Sequence, residues 1–392
     1  MNSFIRNKGY LYISNGRIVP KSQEDSLAPV HVSSFDAPCL WAANEMGFKL
    51  YEGINRTYAT QVKNLDYDIT YYNQHIYRSI FDLKAIEIGY RNLCLFLESH
   101  PDIAVIHCNT PIGGLLGRIC GKKYGKTVIY MVHGFHFYKG APLINRVVFK
   151  SIEKWLAHKT DCLITINHED YEAAQSLRLN KGGKTYQVNG VGVDLKAFDN
   201  VDVDYGEKRQ SLGLPRDAIV GIVVGDLNEN KNVGTIIRAL SLAGGDIHLL
   251  ICGLGPLESR LKGLAKKYGV QERCHFLGFR TDIKALYKVS DMFLFASQRE
   301  GLPRSTMEAM LAGLPCLVSS IRGNVDLIDH NKGGLLFPPK DYESLAEAIK
   351  IMAESQDKRK EFGEYNKVKI KAYDIEIVKQ QMLDVYKEVC VL

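Results

Sequence analysis

Two glutamates eight positions apart, Glu300 and Glu308, bracket a turn and the start of a helix in the run SQREGLPRSTMEAMLAGLP at 297–315. Carboxylates accept hydrogen bonds in a bidentate manner, so a pair in this setting suits the vicinal hydroxyls of a sugar or a ribose. Phosphate would be repelled by them, but main-chain N–H groups at an adjacent helix start are good phosphate partners. With Gly301, Leu302, Pro303 and Arg304 between them, the run reads as a place to hold a nucleotide diphosphate sugar and not as a metal-ligand pair. Spacing alone also admits a plainer reading, in which Glu300 is a solvated loop residue and Glu308 a surface helix residue.

The elements that would position these groups are legible around them. Residues 292–296, MFLFA, are short, apolar and aromatic, as a buried parallel strand should be, and Gly301 with Pro303 marks the turn after it. The stripe Met307, Met310, Leu311 predicts the following helix, which Gly313 and Pro315 should stop. Upstream, GIVVGDLNENKN at 221–232 predicts a strand, a turn at Gly225 and Asn228, and a helix whose first turn holds Lys231. A lysine there can reach phosphate oxygens beside free amides, although a plain surface lysine would look the same. Gly253 and Gly255 follow the strand IHLLIC as half of a dinucleotide fingerprint; Glu258 occupies the place of the third glycine, which argues against a nicotinamide enzyme. In the first half, YMVHGFHFYKGAP at 130–142 ends a strand at His133. That imidazole could hydrogen-bond a sugar hydroxyl or stabilise charge during transfer, or be a satisfied structural group.

At 392 residues the chain exceeds what one core usually supports, so two domains are expected. No run approaches a membrane span and the polar N-terminus is unlike a signal peptide, so a cytoplasmic protein is expected. Nine cysteines with no CxxC pair read as reduced buried thiols, with neither disulfides nor a zinc site. The net charge of +6 is uneven: 101–160 holds nine Lys or Arg against two acids. Residues 143–157, LINRVVFKSIEKWLA, form a basic amphipathic helix pattern that suits an anionic bilayer surface. A helix packed by its apolar face with a solvated basic face fits the same pattern. No nucleic-acid-binding motif or basic-aromatic interleaving is present.

Strand and helix patterns alternate along the chain, which predicts parallel sheets with helices on both faces. Strands are predicted at 10–14, 48–52, 104–107, 127–132 and 162–166, then at 218–224, 247–252, 274–278, 292–296 and 316–319. The expected break between two Rossmann-like halves is the polar, acidic stretch 196–208. This gives a first domain at 1–197 and a second at 198–372, with a last helix from 373 returning to the first through 392.

The segment 297–315 resembles the Glu-x7-Glu motif of retaining GT-B glycosyltransferases of the family 4 type. The resemblance extends to GGLLFP at 333–338, HGFHFYKGAP at 133–142, TDCLITINHEDY at 160–171 and IRGNVDLI at 321–328, and covers most of the chain from about residue 103. It implies a GT-B fold, two Rossmann-like domains facing a cleft, with the C-terminal helix crossing back to the first. It further implies that Glu300 contacts the donor sugar, that Glu308 binds the ribose hydroxyls and that 253–256 is a base-side loop, with Phe279, Arg280 and Thr281 near the base. Related transferases place an Arg after the glycine turn as a second phosphate clamp; here Asp226 stands there, and Arg304 or Arg280 could replace it. The family's acceptor loop after the first strand is replaced by a longer polar loop before a helix near Leu40. His107, Asn109, His136 and Lys139 are the acceptor-side candidates.

The expected function is transfer of a sugar from a nucleotide diphosphate sugar, a UDP-sugar first, to a lipid-linked polyprenyl diphosphate glycan in capsular, exopolysaccharide or O-antigen assembly. Retention is expected, with His133, Glu300 and Lys231 as catalytic groups. No metal and no cofactor is expected, because no DxD-like pair lies near the donor motifs. The enzyme is expected on the inner face of the cell membrane, with an anionic surface as a partner and no nucleic acid. A nucleotide-sugar epimerase of the same architecture and a non-catalytic scaffold of an assembly complex are the alternatives.

Overall fold

The computed structural model describes residues 7–14, 27–77, 79–199 and 201–390. The chain folds into two compact units, one of residues 1–191 with 375–392 and one of residues 192–374. The polar loop expected after the first strand falls largely at 15–26, outside the described residues.

In the first unit the order is β1 (Gly9–Ile13), α1 (Ala37–Glu45), β2 (Lys49–Ile54), β3 (Ile69–Asn73), α2 (Leu83–Ser99), β4 (Ile103–Asn109), α3 (Pro111–Lys123), β5 (Thr127–Val132), α4 (Leu143–Ala157), β6 (Cys162–Thr165), α5 (His168–Gln175) and β7 (Lys184–Gln187). The second unit runs α6 (Tyr205–Ser211), β8 (Ile219–Val224), α7 (Val233–Ala243), β9 (Ile247–Cys252), α8 (Glu258–Lys267), β10 (Cys274–Gly278), α9 (Ile283–Lys288), β11 (Met292–Phe295), α10 (Arg304–Leu311), β12 (Cys316–Ser319), α11 (Asn324–Leu327), β13 (Gly334–Phe337), α12 (Tyr342–Glu354) and α13 (Gln356–Lys369). The last helix, α14 (Ile375–Val389), belongs to the first unit and packs along α1. The stretch 196–208, expected to break regular structure, carries the start of α6, whose first turn is capped by the Asp204 carboxylate.

The sheets are ordered β3-β2-β1-β4-β5-β6-β7 and β10-β9-β8-β11-β12-β13, and the strand pairs are parallel. Helices cover the faces of such sheets, so central strands are apolar throughout: GYLYI of β1 and IHLLIC of β9 are buried at every residue. Strand order reverses between β1 and β4 in one sheet and between β8 and β11 in the other. The carboxyl edge at such a reversal is where an open α/β sheet leaves a crevice. All nine cysteines are free thiols, eight of them buried.

Candidate functional site

In the second unit the reversal point holds Lys231 and Glu300. Lys231 follows β8 through the turn at Gly225, and Glu300 follows β11. Asn228 Oδ1 accepts from the Lys231 amide at 3.0 Å, and Asn232, in the left-handed region at φ 52°, donates its side-chain amide to the carbonyl of Ala296 at 3.2 Å. The two loops are stitched again by Gln298 N donating to the Asn230 carbonyl at 2.8 Å and by Asn230 Nδ2 donating to that of Arg299 at 3.0 Å. This bracing brings Lys231 Nζ to 2.7 Å from Glu300 Oε1 and over the Phe295 ring, 4.7 Å from its centroid. Both side chains are mostly buried, so the pair is shielded from bulk water and salt.

Behind Glu300 stands a residue that sequence reasoning left without a role. Arg322 is buried and its Nε donates to the Glu300 carbonyl at 2.9 Å. Gly323, at φ 77°, lies so close that a Cβ on it would fall 2.4 Å from the Gly301 carbonyl oxygen. The motif IRGNVDLI was visible in the sequence, but only the packing of this loop on Glu300 shows what it supports.

Pro303 is the N-cap residue of α10, and no side chain caps the helix's amino end among the described residues, which leaves first-turn N–H groups available to a ligand. Glu308, one turn on, accepts from Arg304 Nε at 3.1 Å. Burial pushes the Glu308 carboxyl above its usual range, with Arg304 pulling the other way. Leu302 is buried beside them, as are Ser297 and Thr306, whose hydroxyls have no hydrogen-bond partner among the described residues. Gly253 packs its backbone on the Gly225 turn: a Cβ there would sit 1.9 Å from the Gly225 carbonyl oxygen, and φ is +153°. Gly255 packs similarly on Leu227. Next to this double turn, Phe279 and Leu254 present exposed apolar surface.

Of the two arginines considered for the second phosphate clamp, Arg280 is held bidentately by Asp282 at 2.7 and 2.6 Å, and Lys208 joins the same carboxylate at 2.6 Å. Arg304 stands beside Glu308. Asp226 is exposed. Among the described residues no group of three or more His, Cys, Asp or Glu is arranged to hold a metal ion.

The acceptor-side candidates separate within the first unit. His107 is fully buried, its Nδ1 at 2.9 Å from the Tyr10 hydroxyl and 2.5 Å from that of Tyr386 on α14; burial drives its pKa down to about 3. Asn109 is also buried and donates to the Tyr12 hydroxyl at 2.7 Å. Both therefore sit in the core and not on a surface of this unit. His133 and His136, just past β5, line one groove. Burial pushes His133 down to about 4, so its imidazole is neutral at ordinary pH. Lys139 is exposed, its amide held by the Glu169 carboxylate at 2.6 Å.

Two parallel Rossmann-like sheets with a lysine-bearing glycine turn and a Glu-x7-Glu run at the second sheet's reversal define a GT-B glycosyltransferase. The chain belongs to the group 1 glycosyl transferases: that family's model matches residues 204–369, and the model described as glycosyl transferase 4-like matches residues 59–167. It is 31% identical over 363 residues to the putative glycosyltransferase EpsD of Bacillus subtilis (strain 168), covering 91% of this chain and 93% of that protein. Over 254 residues it is 32% identical to the UDP-Gal:alpha-D-GlcNAc-diphosphoundecaprenol alpha-1,3-galactosyltransferase of Escherichia coli, covering 62% and 65% of the two chains. In fold it is similar to Anabaena Alr3699/HepE, solved with UDP and glucose, with a TM-score of 0.74 at 18% identity over 97% of this chain and 100% of that one.

Proposed function

We propose that this glycosyltransferase moves a sugar from a UDP-sugar to a polyprenyl-diphosphate-linked glycan during exopolysaccharide, capsular or O-antigen assembly, with retention of configuration, at the inner face of the cell membrane. The observation that carries the reading is the shielded Lys231–Glu300 pair beside the α10 amino end and Glu308. The names of the relatives support the donor and acceptor classes, since the Escherichia coli enzyme is named for a UDP-galactose donor and a diphosphoundecaprenol-linked acceptor.

In this reading Glu308 accepts the two ribose hydroxyls, while Lys231 and the first-turn amides of α10 hold the diphosphate. A donor phosphate draws Lys231 away from Glu300, which frees that carboxylate for a hydroxyl of the donor sugar. The bond from C1 to the diphosphate oxygen then breaks with its electron pair leaving on UDP. The acceptor hydroxyl adds to C1 from the same face, and its proton passes to the departing phosphate oxygen. Lys231 and the amides stand where negative charge grows, and stabilising that charge is the chief way such a site accelerates transfer. His133, neutral by burial, is the first unit's candidate for a sugar hydroxyl.

A screen of UDP-, GDP- and dTDP-sugars by thermal shift tests the donor, since a ligand bound only by the folded state raises Tm. A UDP-specific shift is expected; a shift with none of them would overturn the reading. Activity retained in EDTA is expected as well, and loss restored by Mg²⁺ would require a metal in the scheme.

A further inference from the structure

The amphipathic helix α4 turns much of its apolar stripe outward. Leu143 and Ile144 are 76% and 72% exposed, and Val147, Val148 and Trp155 are also exposed. Across from it Phe81 and Leu83 stand 89% and 74% exposed at the start of α2. A folded chain rarely leaves so many large apolar side chains together without a use for them.

Between these two exposed edges lies an apolar groove of about 550 Å³, walled by Leu83, Ile86, Leu115, Phe149, Ile152 and Leu156. That size falls within the roughly 300–1,000 Å³ of sites that enclose small molecules. Its charged lining groups neutralise one another: Arg118 holds Glu153 through two bonds of 2.6 and 3.2 Å and stacks over Tyr130 at 3.8 Å. The groove therefore presents hydrocarbon and no free charge along its walls. His133 and His136 line it at the carboxyl edge of the sheet. Outside it, Arg146, Lys150 and Lys154 follow at four-residue intervals and form an exposed row of cations on the same helix.

We infer that this groove binds the first isoprenoid units of the acceptor's polyprenyl chain, with the exposed stripe of α4 and Phe81 seated in the lipid around it. The inference rests on the proposed acceptor class and adds to it a site for the lipid. The charge pattern selects this occupant. An apolar slot beside a row of cations matches an amphiphile with a long hydrocarbon and an anionic diphosphate, and it repels a second copy of the same basic helix. The polar end of the chain then lies at the groove mouth by His133 and His136, where a glycan attached to the diphosphate must begin.

The test uses the full chain, farnesyl diphosphate as the probe and inorganic pyrophosphate as the headgroup control, followed through fluorescence of Trp155 on α4 and confirmed by calorimetry. Ile152→Glu and Leu83→Glu place a charge at exposed positions that line the groove rim, and Leu143→Glu charges the outer stripe, at a residue that does not line the groove. Saturable binding of farnesyl diphosphate but not pyrophosphate is expected. The two rim variants should weaken it by about tenfold or more and Leu143→Glu by less than about twofold, because only the rim charges meet the buried hydrocarbon. Equal affinity in all four proteins, or equal loss at Leu143 and Ile152, would overturn the groove in favour of an undifferentiated surface. A mass in light scattering that halves in the rim variants would overturn it in favour of a second copy. The UDP thermal shift is measured on the same samples. A retained shift shows that each variant is folded, and if it is missing from the wild type the donor reading fails independently of the groove.

Discussion

Glu308→Gln separates ribose recognition from mere packing. The carboxylate is largely buried on α10, 28% of the side chain being exposed, and Arg304 contacts it at 3.1 Å. A hydrogen bond to a charged group contributes about 1.5–3 kcal/mol. The amide keeps one acceptor oxygen but turns an NH₂ toward the second hydroxyl, so a net loss of about 2–3 kcal/mol follows, or ~30–150-fold in the Kd for UDP. Isothermal titration of wild type and variant with UDP and 2′-deoxy-UDP closes a cycle. The deoxy ligand should lose affinity with the wild type and little more with the variant. An unchanged Kd in the variant, or two losses that simply add, would refute the assignment. The same residue gives a pH signature. Burial raises its folded pKa above the unfolded value of about 4.3, so the folded protein binds more protons in that window. Its contribution to stability is fully present below about pH 4.3 and is lost as pH rises through the raised folded value, and Glu308→Gln should remove that slope. UDP binding, which uses the carboxylate, should weaken on acidification from a higher pH than an ordinary glutamate would give.

Lys231→Ala should weaken UDP binding by roughly tenfold or more and lower Tm, because it leaves Glu300 mostly buried without its 2.7 Å partner; wild-type values in titration and melting would contradict the pairing as the heart of the site. Gly253→Ala should cost about 3 kcal/mol or more, or fail to fold, since its Cβ would overlap the Gly225 carbonyl oxygen; an alanine variant that melts with the wild type would show the double turn to be loose. Asp282 is held well below the usual carboxylate range, first by Arg280 and then by Lys208. Its contribution is present above about pH 3.9 and is lost as pH falls through the depressed folded value, so Asp282→Asn should flatten the acid limb of stability. Acid unfolding that is the same in both proteins would remove that cluster as a contributor. Arg322→Ala should impair transfer more than UDP binding, since Arg322 holds the Glu300 loop through its carbonyl; equal loss of both would place Arg322 on the nucleotide.

The strands with strong apolar runs were legible in the sequence, and 127–132, 247–252, 274–278 and 316–319 carry the strands expected there. Three strands were not. β7, KTYQ, is a short edge strand with half-buried and exposed residues, so no apolar run marks it. β3, ITYYN, and β13, GLLF, are also edges of their sheets, and the second was noticed only as part of a motif. Helix α4 has the bounds the pattern predicts, yet periodicity shows that a stripe exists and not what covers it; here much of the stripe faces out. His107 illustrates the converse limit. On a strand its side chain could line a crevice or enter the core, and only the placement of Tyr386, 279 positions later, decides for the core. Arg322 was invisible as a partner of Glu300 because their link runs through a main-chain carbonyl, which carries no sequence signal.

The most direct test of the central claim is UDP release from a panel of UDP-sugars, with and without a polyprenyl-diphosphate sugar acceptor, by wild type and Glu300→Gln. Release by the wild type should depend on the acceptor, with the sugar found on the lipid, and should be lost in a Glu300→Gln protein that still binds UDP. Undiminished transfer by Glu300→Gln, or conversion of the UDP-sugar without any acceptor, would contradict the claim.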